Sequence, residues 1–177
     1  MLKVSKILKV GRVVFHGTIH DFDEFIVGIK QGAGAMRHGW GVYVTQDSHL
    51  AKNYAQKAYR NEQGKRILYE VEIPDEPYLH ENLKLSKQPL ILQDLKDIAA
   101  EVGIELNLGW YGETFYYAVA DALKSEEAAS KLLRSYEIYG IEYIQTHQDD
   151  TMFCVFDGRD LKIQKKVDVV PKELVNT

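Results

Sequence analysis

Residues 39–45, Gly-Trp-Gly-Val-Tyr-Val-Thr, decide the fold that we predict. Glycines on both sides of a tryptophan indicate a loop whose backbone leaves the regular conformations. The alternation that follows predicts a strand with Tyr43 and Thr45 on one face and two valines on the other. One interpretation packs the Tyr43 ring in the core, and the other offers its face to a flat ligand.

A strand is predicted before this stretch and a helix after it. The β-branched and aromatic run from Arg12 to His16 is typical of a buried strand. Further along, Asp47 or Ser48 is expected to cap a helix that carries Tyr54. A histidine at a strand end and a tyrosine on a helix are each more often structural. Together with Tyr43, however, they could enclose a flat slot.

The remaining pattern predicts the α+β class. Phe22, Phe25 and Ile26 have helical spacing, so a helix is expected over residues 21–29. Strands come early, helices occupy the middle and strands return at the end, which favours antiparallel pairing over repeated βαβ units. Further strands are predicted at 66–73, 140–146, 152–157 and 161–166, and further helices at 90–102, 113–123 and 125–134.

Composition limits the classes of protein to which the chain can belong. Its 177 residues suit one domain, expected to span 1–177 with a core of about 12–166 and a loose C-terminal tail. The net charge of −4 disfavours tight nucleic-acid binding, and no apolar run approaches the roughly 20 residues of a membrane span. The lone Cys154 excludes an internal disulfide and is expected to be inert. The histidines lack zinc-ligand spacing, so no metal is predicted, and the protein is expected to be cytoplasmic.

Three blocks in order resemble the ADP-ribosyltransferase superfamily: FHGT at 15–18, GWGVYVT at 39–45 and AKNYA at 51–55. The resemblance is to its His-Tyr branch, shared by diphtheria toxin and the poly(ADP-ribose) polymerases. It extends from about Val13 to Ile163 and is nearest to the transferase domain found in large polyvalent proteins of phages and conjugative elements. Four later blocks carry this second likeness: ILYEVEIP at 67–74, SEEAASKLL at 125–133, GIEYI at 140–144 and CVFD at 154–157.

The resemblance implies a split antiparallel β-sandwich flanked by helices, with NAD⁺ as the co-substrate. His16 is then expected to bind the adenosine-side ribose, and the Gly17 backbone to pair with the nicotinamide amide. The resemblance places the nicotinamide ring between Tyr43 and Tyr54, which would present the anomeric carbon to attack. It also implies smaller contacts, with the ribose and with the pocket wall, for Thr18 and Thr45.

One position departs from the family. Members with a catalytic glutamate on the penultimate strand use it to bind the ribose 2′-hydroxyl, and the matching residue here is Met152, which carries no charge. The first interpretation is transfer of a single ADP-ribose, assisted by the target's own carboxylate, with Met152 lining the NAD⁺ site. The second is an acid supplied by the preceding loop, for which we select Asp150 over Asp149 or Gln148 and expect a β-bulge to deliver it. The third is NAD⁺ binding without turnover. One further acid, Glu113, lies at the start of a predicted helix, where its negative charge interacts favourably with the helix dipole, so we assign it no catalytic role.

The sequence therefore predicts a mono-ADP-ribosyltransferase that cleaves NAD⁺ between nicotinamide and ribose. The expected acceptor is a macromolecule, a protein rather than a nucleic acid. Because the similar domain occurs in proteins of phages and mobile elements, the resemblance implies that the target belongs to host machinery in the host cytoplasm. Two alternatives stay open. One is a catalytically inactive NAD⁺-binding or protein-interaction module with the same fold, and the other is an NAD⁺ glycohydrolase toxin that uses water as the acceptor.

Overall fold

The computed structural model describes residues 11–28, 37–61, 64–145 and 150–170, with only the backbone of residues 60 and 61. The predicted C-terminal tail beyond residue 170 lies outside the described residues. The described elements are β1 (Arg12–Thr18), β2 (Val42–Thr45), α1 (Ser48–Asn61), β3 (Ile67–Ile73), β4 (Leu79–His80), α2 (Leu92–Val102), α3 (Gly112–Leu123), α4 (Glu126–Ser135), β5 (Gly140–Gln145), β6 (Asp150–Val155) and β7 (Lys162–Asp168), with 3₁₀ turns at Leu85–Lys87 and Gly158–Asp160.

These strands form one seven-stranded sheet in the order β4-β5-β6-β2-β1-β3-β7. Neighbouring strands are antiparallel except for the pair β4 and β5, which is parallel. The predicted α+β class is confirmed. The expectation of antiparallel pairing is confirmed for every other described pair. It is wrong for β4, a two-residue strand at the edge of the sheet that runs parallel to β5.

The two faces of the sheet are covered differently. The helix face, as we name it, packs against the helices and buries Met152 and Cys154. The loop face is covered by side chains from connecting segments, among them Phe25 and Tyr78. The strand predicted at 66–73 is β3, in which every second residue is at most 2% exposed and packs on the loop face: Ile67, Tyr69, Val71 and Ile73.

Two of the described helices, α1 and α4, begin at side-chain caps. The Asp47 carboxylate accepts a hydrogen bond of 2.7 Å from the His49 N–H, so Asp47 rather than Ser48 caps α1. The Ser125 hydroxyl likewise accepts from the Ala128 N–H at 3.0 Å and begins α4 where the sequence predicts it. These two caps determine where α1 and α4 begin.

The helix predicted over residues 21–29 is wrong for the described part, 21–28, which is an irregular segment of bends and turns. Its aromatic residues pack inward without forming a helix. Phe22 stacks on Tyr69 with ring centroids 4.5 Å apart, and its N–H donates to the Tyr69 hydroxyl at 2.9 Å. The helical spacing therefore reflects a cluster of rings that cover the loop face.

The sheet is least continuous between β1 and β2. The described strands share one registered pair, Phe15 with Thr45, whereas β1 pairs with β3 at every residue from Arg12 to Thr18. Beyond that single pair the two strands diverge at the end of β1. The residues that the sequence singles out, from His16 to Thr18 and from Tyr43 to Thr45, lie at this divergence.

Candidate functional site

His16 bridges the divergence between β1 and β2. Its Nδ1–H donates a hydrogen bond of 2.8 Å to the main-chain carbonyl of Tyr43. The imidazole N–H is thus bonded to a carbonyl that would accept from a backbone N–H if the two strands were paired continuously. Because a carbonyl can only accept, this bond places a proton on Nδ1. The predicted strand-end histidine therefore links the two strands that carry the candidate site.

The ring of His16 lies on the loop face. It packs edge-on against Phe25 at 5.3 Å and lies 6.4 Å from the ring of Tyr69. The Tyr43 and Tyr54 side chains instead pack on the helix face. The structure thus brings two of the three predicted clamp side chains to one face and joins the third, His16, to Tyr43 through the main chain.

Gly17 allows close packing of α1. A Cβ atom at this position would lie 1.6 Å from the Ala51 carbonyl oxygen, so no side chain fits unless the helix moves. The space on the helix face beside Gly17 is therefore filled by α1. Thr18 is fully buried, and its hydroxyl accepts a hydrogen bond from the His20 N–H at 3.2 Å.

Met152, where the resemblance implies an acidic side chain, lies within the helix face. Met152 of β6 pairs directly with Thr45 on one side and with Tyr143 on the other. All three are buried, with exposed fractions of 4%, 1% and 6%. The Thr45 hydroxyl accepts from the Asp47 N–H at 3.1 Å. No charged side chain occurs at this level of the three strands.

Asp150 reaches the helix face without a bulge. The pairing of β5 with β6 is regular from Gly140 to Gln145, so the predicted bulge is absent from the described strands. Asp150 lies two residues before Met152 and therefore on the same face. It pairs with Gln145, whose Oε1 accepts a hydrogen bond of 3.2 Å from the Tyr54 hydroxyl. Asp150 is thus the β6 carboxylate that pairs with the residue bound by Tyr54, while 148 and 149 lie outside the described residues.

Tyr43 is fixed by its hydroxyl group. The hydroxyl donates to the Gly39 carbonyl at 2.7 Å and accepts from the His38 N–H at 2.9 Å, so the phenol fastens the loop that precedes β2. Burial raises the pKa of Tyr43 and also that of Tyr143, whose ring meets it edge-on at 6.4 Å. Both rings are therefore neutral at physiological pH and can serve as apolar surfaces.

The same loop brings together a pair that sequence reasoning missed. The Nδ1 atom of His38 lies 2.9 Å and 3.0 Å from the two carboxylate oxygens of Glu81, which is 6% exposed. The His38 ring stacks on Tyr143, with centroids 3.9 Å apart and planes inclined by 12°. The sequence signal for this pair is weak. His38 lies just before the glycine-flanked tryptophan, but no motif links a loop histidine to a glutamate 43 residues later.

Cys154 and Glu113 lie where burial and helix position account for them without a role in the candidate site. Cys154 is fully buried, burial raises the pKa of its thiol, and its Sγ–H donates to the Gly39 carbonyl at 3.5 Å. Glu113 lies in the first turn of α3, where a negative charge favours the helix dipole. Within the described ranges, no three His, Cys, Asp or Glu side chains are grouped as metal ligands.

A cavity in the described part of the chain lies away from these residues. It measures about 210 Å³ and opens between β4 and the segment before α2, with Tyr78, His80, Gln88 and Glu142 in its wall. None of the predicted site residues contributes to its lining. Pockets for small ligands commonly measure about 300–1,000 Å³, so this cavity is small even for one half of a dinucleotide.

No family model matches this chain, and comparisons with curated proteins and with solved structures find no similar protein. Among the described helices, none combines the length and the hydrophobicity that crossing a bilayer requires.

Proposed function

We propose that the protein is a mono-ADP-ribosyltransferase that binds NAD⁺ at the helix face of the sheet, beside the divergence of β1 and β2. The observation that carries this proposal is the common placement of Tyr43, Tyr54 and Asp150 on that face. Tyr54 comes from α1, and its hydroxyl is hydrogen-bonded to Gln145, the residue paired with Asp150. Two phenol rings and a carboxylate from three different elements thus lie on one face of the sheet.

The aromatic side chains suit the nicotinamide ring. Among the described residues Tyr54 makes no ring contact with Tyr43, so a planar ring could enter between them without breaking an existing stack. Each stacking contact contributes about 0.5–1.5 kcal/mol beyond burial. Fixing the pyridine in this way would leave the ribose beyond the ring edge, where the bond to nicotinamide breaks.

The carboxylate suits the charge that develops on the sugar. Loss of nicotinamide passes through a cation-like ribose, which a nearby negative group stabilises. Asp150 is the residue we assign to this role, one level along β6 from the buried Met152. With no acid at Met152 itself, we propose transfer of a single ADP-ribose, assisted by a carboxylate of the target protein.

The sheet geometry supports the split fold that the resemblance implies. A single registered pair joins β1 to β2, so the sheet can be regarded as two parts, β4-β5-β6-β2 and β1-β3-β7. In this proposal His16 fixes the relation between the two parts through the Tyr43 carbonyl. The His16 ring packs on the opposite face, so we propose that it acts on the NAD⁺ site through the position of Tyr43 and not by touching the ribose.

The buried Met152 favours a second candidate, an NAD⁺-binding module without turnover. Thr45, Met152 and Tyr143 form a buried level of the helix face without any acid, so a dinucleotide held by Tyr43 and Tyr54 would find no carboxylate at this level to activate it. The two candidates share the binding site and differ in whether nicotinamide is released.

A paired substitution in α1 tests the proposal. Purified protein would be incubated with adenylate-labelled NAD⁺ and a bacterial lysate, with nicotinamide release and labelled proteins both measured. We expect Tyr54→Ala to lower turnover about tenfold through lost stacking. Tyr59→Ala, on the same helix at a ring that is 37% exposed, is the matched control and should leave turnover unchanged.

Each outcome has a distinct meaning. Labelled protein that depends on Tyr54 supports the transferase. NAD⁺ binding in a calorimeter without nicotinamide release supports the inactive module, and nicotinamide release without labelled protein supports a glycohydrolase. A wild-type protein that neither binds NAD⁺ nor releases nicotinamide contradicts all three.

A further inference from the structure

We propose that His38, oriented by Glu81, is the general base that deprotonates the acceptor in the transfer reaction. This inference rests on the proposed function and adds to it a catalytic residue and a positioning residue. The family resemblance assigns no role to either one. The pair supplies a proton acceptor on the side of the site that lies over β5.

The hydrogen bonds fix which nitrogen of His38 is available. Both oxygens of Glu81 meet Nδ1, at 2.9 Å and 3.0 Å, so Nδ1 carries a proton and the neutral ring keeps its lone pair on Nε2. Among the described residues Nε2 has no hydrogen-bond partner. The His38 side chain is 34% exposed and that of Glu81 only 7%. A buried carboxylate thus orients a ring whose other nitrogen can reach a substrate, as in catalytic triads.

The position of His38 relates it to the missing acid. Its ring stacks on Tyr143, and Tyr143 pairs directly with Met152. The Tyr43 hydroxyl bonds to the His38 N–H, so the residue that stacks on nicotinamide in our proposal also fixes the histidine. The imidazole therefore lies over the β5 neighbour of Met152, the position where the resemblance implies an acidic side chain.

The loop that carries His38 is fastened from α3. The Tyr117 hydroxyl donates to the Arg37 carbonyl at 3.0 Å, and the Tyr116 hydroxyl accepts from the Trp40 N–H at 2.9 Å. With the Tyr43 bonds, the segment 37–41 is attached on several sides. A base fixed in this way needs little reorganisation when the acceptor binds.

His38 takes up the proton of the acceptor as the new glycosidic bond forms. The acceptor's hydroxyl oxygen forms a bond to the anomeric carbon of the ribose while its proton passes to Nε2 of His38. The bond between that carbon and the nicotinamide nitrogen breaks, and its electron pair leaves with neutral nicotinamide. The products are the ADP-ribosylated acceptor, nicotinamide and an imidazolium stabilised by Glu81, which then releases its proton to water. Water as the acceptor follows the same course.

A second histidine–carboxylate pair provides a matched control. The Nδ1 atom of His80 lies 3.5 Å from a carboxylate oxygen of Glu142 at the β4–β5 edge. Glu142 is the strand neighbour of Phe153, whose side chain packs on the loop face. This pair has the same chemistry on the other side of the sheet. It should play no part in a reaction at the helix face.

The test compares substitutions in the two pairs, using nicotinamide release from NAD⁺ with water as the acceptor and calorimetry for NAD⁺ binding. His38→Gln can still donate to Glu81 but cannot take up a proton, so we expect kcat to fall about 100-fold while the Kd for NAD⁺ stays within about twofold. Glu81→Gln should lower kcat at least about tenfold, again without weakening NAD⁺ binding. His80→Gln and Glu142→Gln should leave both quantities unchanged.

A rescue experiment separates catalysis from folding. His38→Ala leaves space for free imidazole, and we expect millimolar imidazole to restore part of its turnover and to have no effect on wild type. Full turnover in His38→Gln overturns this inference and leaves the proposed function standing. Loss of NAD⁺ binding together with kcat, without imidazole rescue, overturns it in favour of a structural role. A wild-type protein without NAD⁺ turnover contradicts the proposed function, and this inference with it.

Discussion

The two faces of the sheet each place one histidine among aromatic rings, and they fix it by different means. On the loop face, His16 donates to a main-chain carbonyl and packs edge-on against Phe25. On the helix face, His38 meets the carboxylate of Glu81 and stacks on Tyr143. A neutral carbonyl fixes a strand position, whereas a carboxylate also stabilises the charge that a ring acquires when it accepts a proton. The first arrangement suits structure and the second suits proton transfer.

The largest effect that we expect comes from the loop face. Phe25 is 4% exposed and contacts the rings of His16, Phe22 and Tyr69. Phe25→Ala should lower the free energy of unfolding by about 3–4 kcal/mol, because it removes a buried ring and leaves a cavity. Urea denaturation followed by circular dichroism measures this change.

The control for Phe25→Ala is Tyr59→Ala, an exposed ring outside the cluster. Its effect should be below about 1 kcal/mol. If the two substitutions destabilise the protein equally, the ring cluster does not organise the loop face, and the contrast between the faces fails.

An intermediate effect is expected for His16→Ala. The substitution leaves the Tyr43 carbonyl without its imidazole partner at the junction of β1 and β2. A buried polar group that loses its partner costs about 1–3 kcal/mol, and we expect about 2 kcal/mol together with loss of NAD⁺ turnover. His38→Gln should reduce turnover with a stability change below about 1 kcal/mol, since the amide can still donate to Glu81.

Denaturation curves and nicotinamide release, measured on the same preparations, check this pair of predictions. Equal losses of stability in His16→Ala and His38→Gln would show that the two histidines have the same kind of role. Unchanged stability in His16→Ala would mean that its bond to Tyr43 does not hold the two strands together.

Much of the architecture could be predicted from local patterns. The alternation in β3 and the side-chain caps at Asp47 and Ser125 each concern residues close in sequence, where a short window carries the physics. The failed helix over 21–28 has the opposite cause. There, spacing that fits a helix serves contacts with Tyr69, about 47 residues away, and local periodicity contains no sign of that partner.

The candidate site was predictable only in part, for the same reason. Order along the chain pointed to Tyr43 and Tyr54, and the structure places both on the helix face. The face that His16 occupies depends on where β1 and β2 diverge, and the partner of His38 depends on how the chain crosses to Glu81. Such long-range pairing is decided by the tertiary fold. The sequence offered Met152 as a missing acid but no means of finding a base beside it.

The smallest effect that we expect concerns Tyr143 on the helix face. Tyr143 contributes its ring to the stack on His38, and burial raises its pKa, so the phenol stays neutral at physiological pH. Tyr143→Phe keeps the ring and should change the free energy of unfolding by less than about 0.5 kcal/mol, with turnover intact. Tyr143→Leu removes the stack and should lower turnover several-fold, because a His38 ring that loses about 1 kcal/mol of stacking is less well oriented. Nicotinamide release by the two variants decides the point. If Tyr143→Phe loses as much turnover as Tyr143→Leu, the hydroxyl matters and the ring does not, and the orientation of His38 must come from Glu81 alone.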